Sequence, residues 1–177
     1  MAHFIYVRHG QSQANLDGTI GMPETLLTKE GIEQAHSTGR DLAGKGVMII
    51  ASSPFTRTRQ TAEVIAAELS ILEGHIKLID SLHERRMGDY EGKLKDHESE
   101  WYILDDEPGM EQPASVLKRM HIALKEIRKL SEEGLVLVVG HAATGFYLVQ
   151  AAKGIYDVKD FPPPAQMVNA GYMEIEL

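Results

Sequence analysis

Arg8 and His9 follow directly on the apolar run Phe4 to Val7, and the same arrangement recurs along the chain. After "VMIIA" (47–51) comes "SSPFTRTR", which carries Arg57 and Arg59; after "IKLI" (76–79) comes "DSLHERRMGDYEG", with His83 and Glu84. After "LVLVV" (135–139) comes "GHAATG", with His141. Continuous apolar runs are what the doubly covered strands of a parallel sheet look like, and open α/β sheets bind ligands beyond the carboxyl ends of their strands. Four strand ends would then bring two imidazoles, at least two guanidinium groups and a carboxylate to one rim.

Taken singly, each residue has an ordinary structural reading. Arg8 could be a surface ion-pair partner, Arg57 an exposed helix residue, and Glu84 a local partner of Arg85 or Arg86. His9 could be a histidine satisfied by backbone, although Gly10 beside it permits close backbone approach. His141 is harder to dismiss, because Gly140 and two alanines flank it and leave room for a ligand. The joint placement carries the case.

Two guanidinium forks hold the oxygens of a phosphate bidentately at any physiological pH. A neutral imidazole whose other nitrogen is fixed by a backbone carbonyl can attack phosphorus in line, while a second imidazole donates to the developing charge. A carboxylic acid on the far side can protonate the leaving oxygen. His9, His141 and Glu84 are the candidates.

Other chemistries fit less well. "HERRM" lacks the second histidine of a zinc-protease helix, and the remaining histidines show no ligand spacing, so no metal is expected. Neither a Walker loop nor a dinucleotide glycine fingerprint occurs, and "GHAATG" lacks the serine of a nucleophile elbow. With no cysteine, thiol nucleophiles, thiolate metal sites and disulfides are excluded together. A formal net charge of −8 opposes binding to a nucleic-acid backbone. No stretch approaches the roughly 18 apolar residues of a membrane helix, and a cytoplasmic location is expected.

These groups need a scaffold. The chain has 177 residues, 43% hydrophobic and 25% charged, which suits one packed domain over 1–177. Between the strand candidates lie helical patterns: Ile32, Ala35 and Leu42 after a Thr28 N-cap; Ala62, Ile65, Ala66 and Leu69 after a Ser53 cap with Pro54 at the first helical position. A third pattern joins Val116, Leu117, Met120, Leu124, Ile127 and Leu130, and is expected to end near Gly134. With a last strand at "YMEIEL" (172–177), alternating strands and helices predict a three-layer α/β/α sandwich around a mostly parallel sheet. Residues 85–112 break the rhythm and read as an insertion over the active end.

On these residues the chain resembles the histidine phosphatase superfamily, or phosphoglycerate mutase-like family. "RHG" (8–10) resembles its signature, "SSPFTRTRQTAE" (52–63) its second arginine motif, "LHERRMGDYEG" (82–92) its acid loop and "GHAAT" (140–144) its second histidine motif. The resemblance implies a phosphoglycerate mutase-like fold and a phosphohistidine intermediate on His9, with Arg8, Arg57 and His141 completing the phosphate pocket. It also implies Glu84 as proton donor and later base, with Asn15 and the Ala142 backbone helping to hold the phosphate. The expected substrate-binding set is Arg8, Asn15, Gly21, Arg57, His141 and Ala142; Arg59 matches no family position and is assigned to the helix surface.

Gln11 and Gln13, where mutases resemble "RHGES" with a following tryptophan, and the compact acid loop ending "GDYEG" favour the phosphatase branch. Ile20 and Met22 stand where relatives often carry a polar and an aromatic residue. The expected activity is therefore metal-independent and cofactor-free hydrolysis of a small phosphorylated metabolite, with inorganic phosphate as product and no nucleic-acid or membrane partner. Whether the chain acts alone or as a homodimer is left open. The rivals are mutase-type transfer, a phosphohistidine-directed protein phosphatase and a non-catalytic phospho-ligand binding module.

Overall fold

The computed structural model describes residues 3–95, 108–164 and 167–177. Its elements run β1 (His3–Arg8), α1 (Gln13–Asp17), α2 (Lys29–Asp41), β2 (Val47–Ser52), α3 (Thr56–Glu68), β3 (Ile76–Leu78), α4 (Pro113–Leu130), β4 (Leu135–Gly140), α5 (Ala142–Ala152) and β5 (Tyr172–Glu176). The sheet order is β3-β2-β4-β1-β5. The first four strands are parallel, and only β5 is antiparallel, along β1. The predicted mostly parallel α/β/α sandwich is the fold observed.

Alternate side chains of the strands face opposite layers, as the pleat requires. Phe4, Tyr6, Val136 and Val138 pack with α4 and α5, whereas Ile5, Val7, Leu137 and Val139 pack with residues of α2 and α3. Both faces are therefore apolar, which is why these strands show no polar alternation. Among the described residues, no helix is long and apolar enough to cross a membrane.

Register sets the active end. Arg8 pairs with Gly140 and Ser52 with Val139, so the carboxyl ends of β1, β4 and β2 finish level. The ladder continues past them: the His9 N–H donates to the Gly140 carbonyl at 2.9 Å and the Ser53 N–H to the Val139 carbonyl at 3.0 Å. His9, Ser53 and His141 thus leave three adjacent strands side by side.

Thr28 caps α2 as expected, accepting from the Gly31 N–H at 3.0 Å. The expected cap of α3 is displaced. Because Ser53 is still bonded into the ladder, the chain bends at Pro54 and Phe55, Phe55 takes the N-cap position without a side-chain bond, and the helix starts at Thr56 rather than Pro54. The end of α4 also differs. It closes at Leu130 with Ser131 as C-cap, and Gly134, at φ +150°, instead lies against Met48, whose side chain a Cβ would overlap. Of the expected insertion, residues 96–107 lie outside the described residues; its described flanks meet where the Glu111 N–H donates to the Arg86 carbonyl at 2.8 Å, and Arg85, Met87 and Lys95 of the first flank line the cavity described below.

Candidate active site

Arg8, His9, Asn15, Gly21, Arg57, Glu84 and Ala142 all line one cavity at the carboxyl ends of the strands. Seven of the eight predicted positions therefore meet; His141 lies beside His9, fully buried, rather than in the cavity wall. The two imidazoles pack edge to face with centroids 5.3 Å apart. Arg59 is exposed on α3, as expected.

The His9 ring is oriented by its own loop. Nδ1 lies 2.7 Å from the Gly10 carbonyl oxygen, which can only accept, so Nδ1 carries the proton and Nε2 keeps a lone pair. The Arg57 Nε–H donates to that lone pair at 3.2 Å. Burial first, then the charges of Arg57 and Arg8, hold the His9 pKa well below its ordinary 6.5, so the ring is neutral at physiological pH.

His141 is depressed by the same causes, burial followed by Arg57 and His9. Its Nε2 meets Ser53 Oγ at 2.8 Å, while Nδ1 is buried without a partner. Ser53 was expected to cap a helix; it orients the second imidazole instead. Small residues around His141 were expected to make room for a ligand; Ala142 does line the cavity, but the glycine before His141 serves another contact. A Cβ at Gly140 or Gly145 would overlap the Tyr6 ring, so both glycines accommodate Tyr6, whose hydroxyl donates to the His141 carbonyl at 2.6 Å. The close approach that Gly10 permits is likewise to Gly31, whose carbonyl oxygen a Cβ would overlap.

Arg57 is 4% exposed, and its Nη1 donates to the Met22 carbonyl at 2.8 Å. Burial lowers its pKa to about 10, which leaves it charged near neutrality. Arg8 donates through Nη1 to the Met167 carbonyl, and its Nε is buried without a partner. Glu84 is seated on the start of α5: its carboxylate accepts from the Ala143 N–H at 3.3 Å and the Thr144 N–H at 3.1 Å. A third bond comes from the Arg85 N–H at 2.9 Å. Anions are favoured at a helix N-terminus, and this seat fixes the carboxylate in the wall without a surface ion pair to Arg85 or Arg86.

Thr19, Ile20, Arg85, Met87 and Lys95 also line the cavity. Ile20 and Met87 form a small apolar cluster with Met110. Four cationic side chains against one carboxylate, on a chain of net charge −8, make this wall a site for an anion. Sequence reasoning missed Met167, Asn169 and Lys95, which carry no motif and reach the site only through the fold, and it missed the role of Ser53 within its motif. Among the described residues, no group of three or more His, Asp or Glu is arranged to hold a metal ion.

Beyond a level row of strand ends, two buried histidines, two arginines and a carboxylate thus gather around one cavity suited to an anion. The sequence profile of the histidine phosphatase superfamily (branch 1) matches residues 4–177, and the chain belongs to that family. It is 29% identical over 151 residues to a Bacillus subtilis protein named uncharacterized phosphatase PhoE, covering 84% of this chain and 76% of that one. It is also 29% identical over 171 residues to the probable phosphoglycerate mutase GpmB of Salmonella paratyphi B, covering 88% and 76%. Among solved structures, Bacillus stearothermophilus YhfR superposes with a TM-score of 0.82 at 25% identity, over 99% of this chain and 91% of that one. A mycobacterial glucosyl-3-phosphoglycerate phosphatase, solved with vanadate, superposes at 0.84 and 22% identity, over 98% and 90%.

Proposed function

We propose that this protein hydrolyses small phosphate monoesters through a phosphohistidine on His9. The observation that carries the reading is the His9 tautomer: Nδ1–H is committed to the Gly10 carbonyl, so the Nε2 lone pair belongs to a cavity walled by Arg8, Arg57, Arg85 and Lys95. An entering phosphate oxygen competes for the Arg57 Nε–H and frees that lone pair. His9 Nε2 then forms the N–P bond as the ester P–O bond breaks, and Glu84, entering this step as the carboxylic acid, gives its proton to the departing oxygen and becomes the carboxylate.

Arg8, Arg57 and the Asn15 amide hold the equatorial oxygens, joined by the Ala142 N–H at the start of α5, while His141, buried beside His9 rather than in the wall, supports the developing charge from behind it. Gly21 lines the cavity beside the Arg57 guanidinium, where a Cβ would stand in ordinary contact, 3.5 Å from Nη1. Water next attacks phosphorus, Glu84 takes its proton, the N–P bond breaks and inorganic phosphate leaves. No step requires a metal or cofactor.

Likeness to a relative named phosphatase supports hydrolysis, while the relatives named probable phosphoglycerate mutase keep intramolecular transfer as the second reading. Rapid acid-free quench of the reaction with a phosphate monoester is expected to trap one phosphoryl group on His9, and His9→Ala to abolish turnover. Turnover by His9→Ala would refute the reading. Release of inorganic phosphate, rather than isomerisation of a phosphoglycerate primed by a bisphosphate, separates phosphatase from mutase.

A further inference from the structure

We propose that Asn169 is a positioning residue that, together with the Ser12 cap, fixes which end of the Asn15 side-chain amide faces the phosphate site; the proposal rests on the phosphatase reading above. Two backbone groups whose roles are not in doubt decide both amide orientations. The Ser12 N–H can only donate, and it bonds an Asn15 side-chain atom at 3.0 Å, so that atom is Oδ1. The His9 carbonyl can only accept, and Asn169 meets it at 3.1 Å, so the meeting atom is Nδ2. That same Nδ2 donates to Asn15 Oδ1 at 3.2 Å. Ser12 Oγ adds a third donor to Oδ1 at 3.0 Å.

Both hydrogens of the Asn169 amide are therefore spent, one on the nucleophile's backbone and one on Asn15. With its oxygen saturated, Asn15 has only its NH2 to offer the cavity it lines. An amide free to rotate would present oxygen to a phosphate half the time, and oxygen against a dianion is repulsive. Asn15 needs this help because it sits on α1, a five-residue helix too short to be held by its own hydrogen bonds. Asn169 in turn is held by its loop: the next residue, Ala170, takes φ +54°, donates from N–H to the His9 carbonyl at 3.1 Å, and accepts from Thr38 Oγ1 at 2.8 Å. One clip thus ties β1, α1 and the entry to β5 around His9.

Asn15 and Asn169 are the only asparagines in the chain. Protein labelled with 15N-asparagine therefore gives two side-chain amide pairs, and the test uses orthovanadate as the probe. In the wild type, vanadate is expected to shift the Asn15 NH2 signals strongly, and the bonded Asn169 NH2 protons are expected to exchange slowly with solvent. Asn15→Ala and Asn169→Ala are each expected to weaken vanadate inhibition about tenfold, and the double variant to be no worse than Asn15→Ala alone, because both remove one interaction. The isosteric Asn169→Asp, which puts an acceptor against two acceptors, is expected to lose at least as much.

A double variant weakened about a hundredfold, or Asn169→Ala binding vanadate like the wild type, would overturn the proposal while leaving the His9 reaction intact. Asn169 that only stabilised the fold would lower the melting temperature and leave the coupling at zero, which also overturns it. Should neither Asn169 variant fold, fast exchange of the wild-type Asn169 amide protons would do the same. If the wild type failed to bind vanadate at all, the phosphatase reading would fall instead.

Discussion

Lowering the pH from 7.5 to 5.5 should destabilise the folded protein by an amount set by His9 and His141. Both rings are buried and have pKa values pushed well below 6.5, so the folded state stays deprotonated over this window while the unfolded chain takes up a proton at each site. The unfolded state binds more protons, so stability rises with pH: the contribution is complete above 6.5 and is lost as pH falls below it, until the depressed folded pKa is reached. Over this interval one such histidine costs on the order of 1 kcal/mol and the pair roughly 2 to 3 kcal/mol. For a domain of this size that corresponds to a fall in melting temperature of roughly 5 to 10 °C. The assay is denaturant or thermal unfolding at several pH values, in phosphate-free buffer because a bound anion would stabilise the native state by mass action. Substituting one ring, His9→Gln, removes one titrating site and should halve the histidine part of the slope, whatever the variant's absolute stability. A His9→Gln curve parallel to wild type between pH 7.5 and 5.5 would show that the ring is not buried as a neutral base.

Glu84→Gln should reduce turnover of alkyl phosphates by about 10² to 10⁴, the usual worth of a general acid, yet spare much of the first half-reaction with p-nitrophenyl phosphate, whose leaving group departs without a proton. Equal losses on both substrates, read by burst kinetics, would remove Glu84 from the acid role. Gly31→Ala lies outside the cavity, but its Cβ would overlap the Gln11 backbone in the turn after His9. Overpacking of this kind typically costs about 1–3 kcal/mol, so a lowered melting temperature with reduced kcat is expected; an unchanged melting temperature would count against the tight α2 contact.

The fold was legible in the sequence where one element's pattern decided it. Continuous apolar runs identified β1, β2 and β4, and the strand-end rule then gathered Arg8, His9, Arg57, Glu84 and His141 without further help. Legibility failed where two elements had to meet. The direction of β5 is not encoded in "YMEIEL", whose alternation suits either pairing, and α5 is almost wholly apolar, so no helical stripe marks it. α1 spans five residues held by a reciprocal cap between Ser12 and Asn15, too short for any period. Ser53 has a local signal, a serine before proline, that truthfully suggests a helix start; the ladder bond to Val139 overrides it and turns the hydroxyl to His141.

The spacing of the two imidazoles has its origin one layer below them. Tyr6 projects from β1 between Gly140 and Gly145, at the end of β4 and in the first turn of α5, and its hydroxyl donates to the carbonyl of His141. His9 follows β1, three residues after Tyr6, so this side chain adds to the β1–β4 ladder in setting the two histidines against each other. The glycines in "GHAATG" belong to that contact rather than to the ligand. A larger residue at either position would have to displace the Tyr6 ring, and with it the 5.3 Å separation on which any shared oxyanion between the two histidines depends. The residues that look most like a binding motif in the sequence therefore act on the chemistry through the packing of a tyrosine that resembles none.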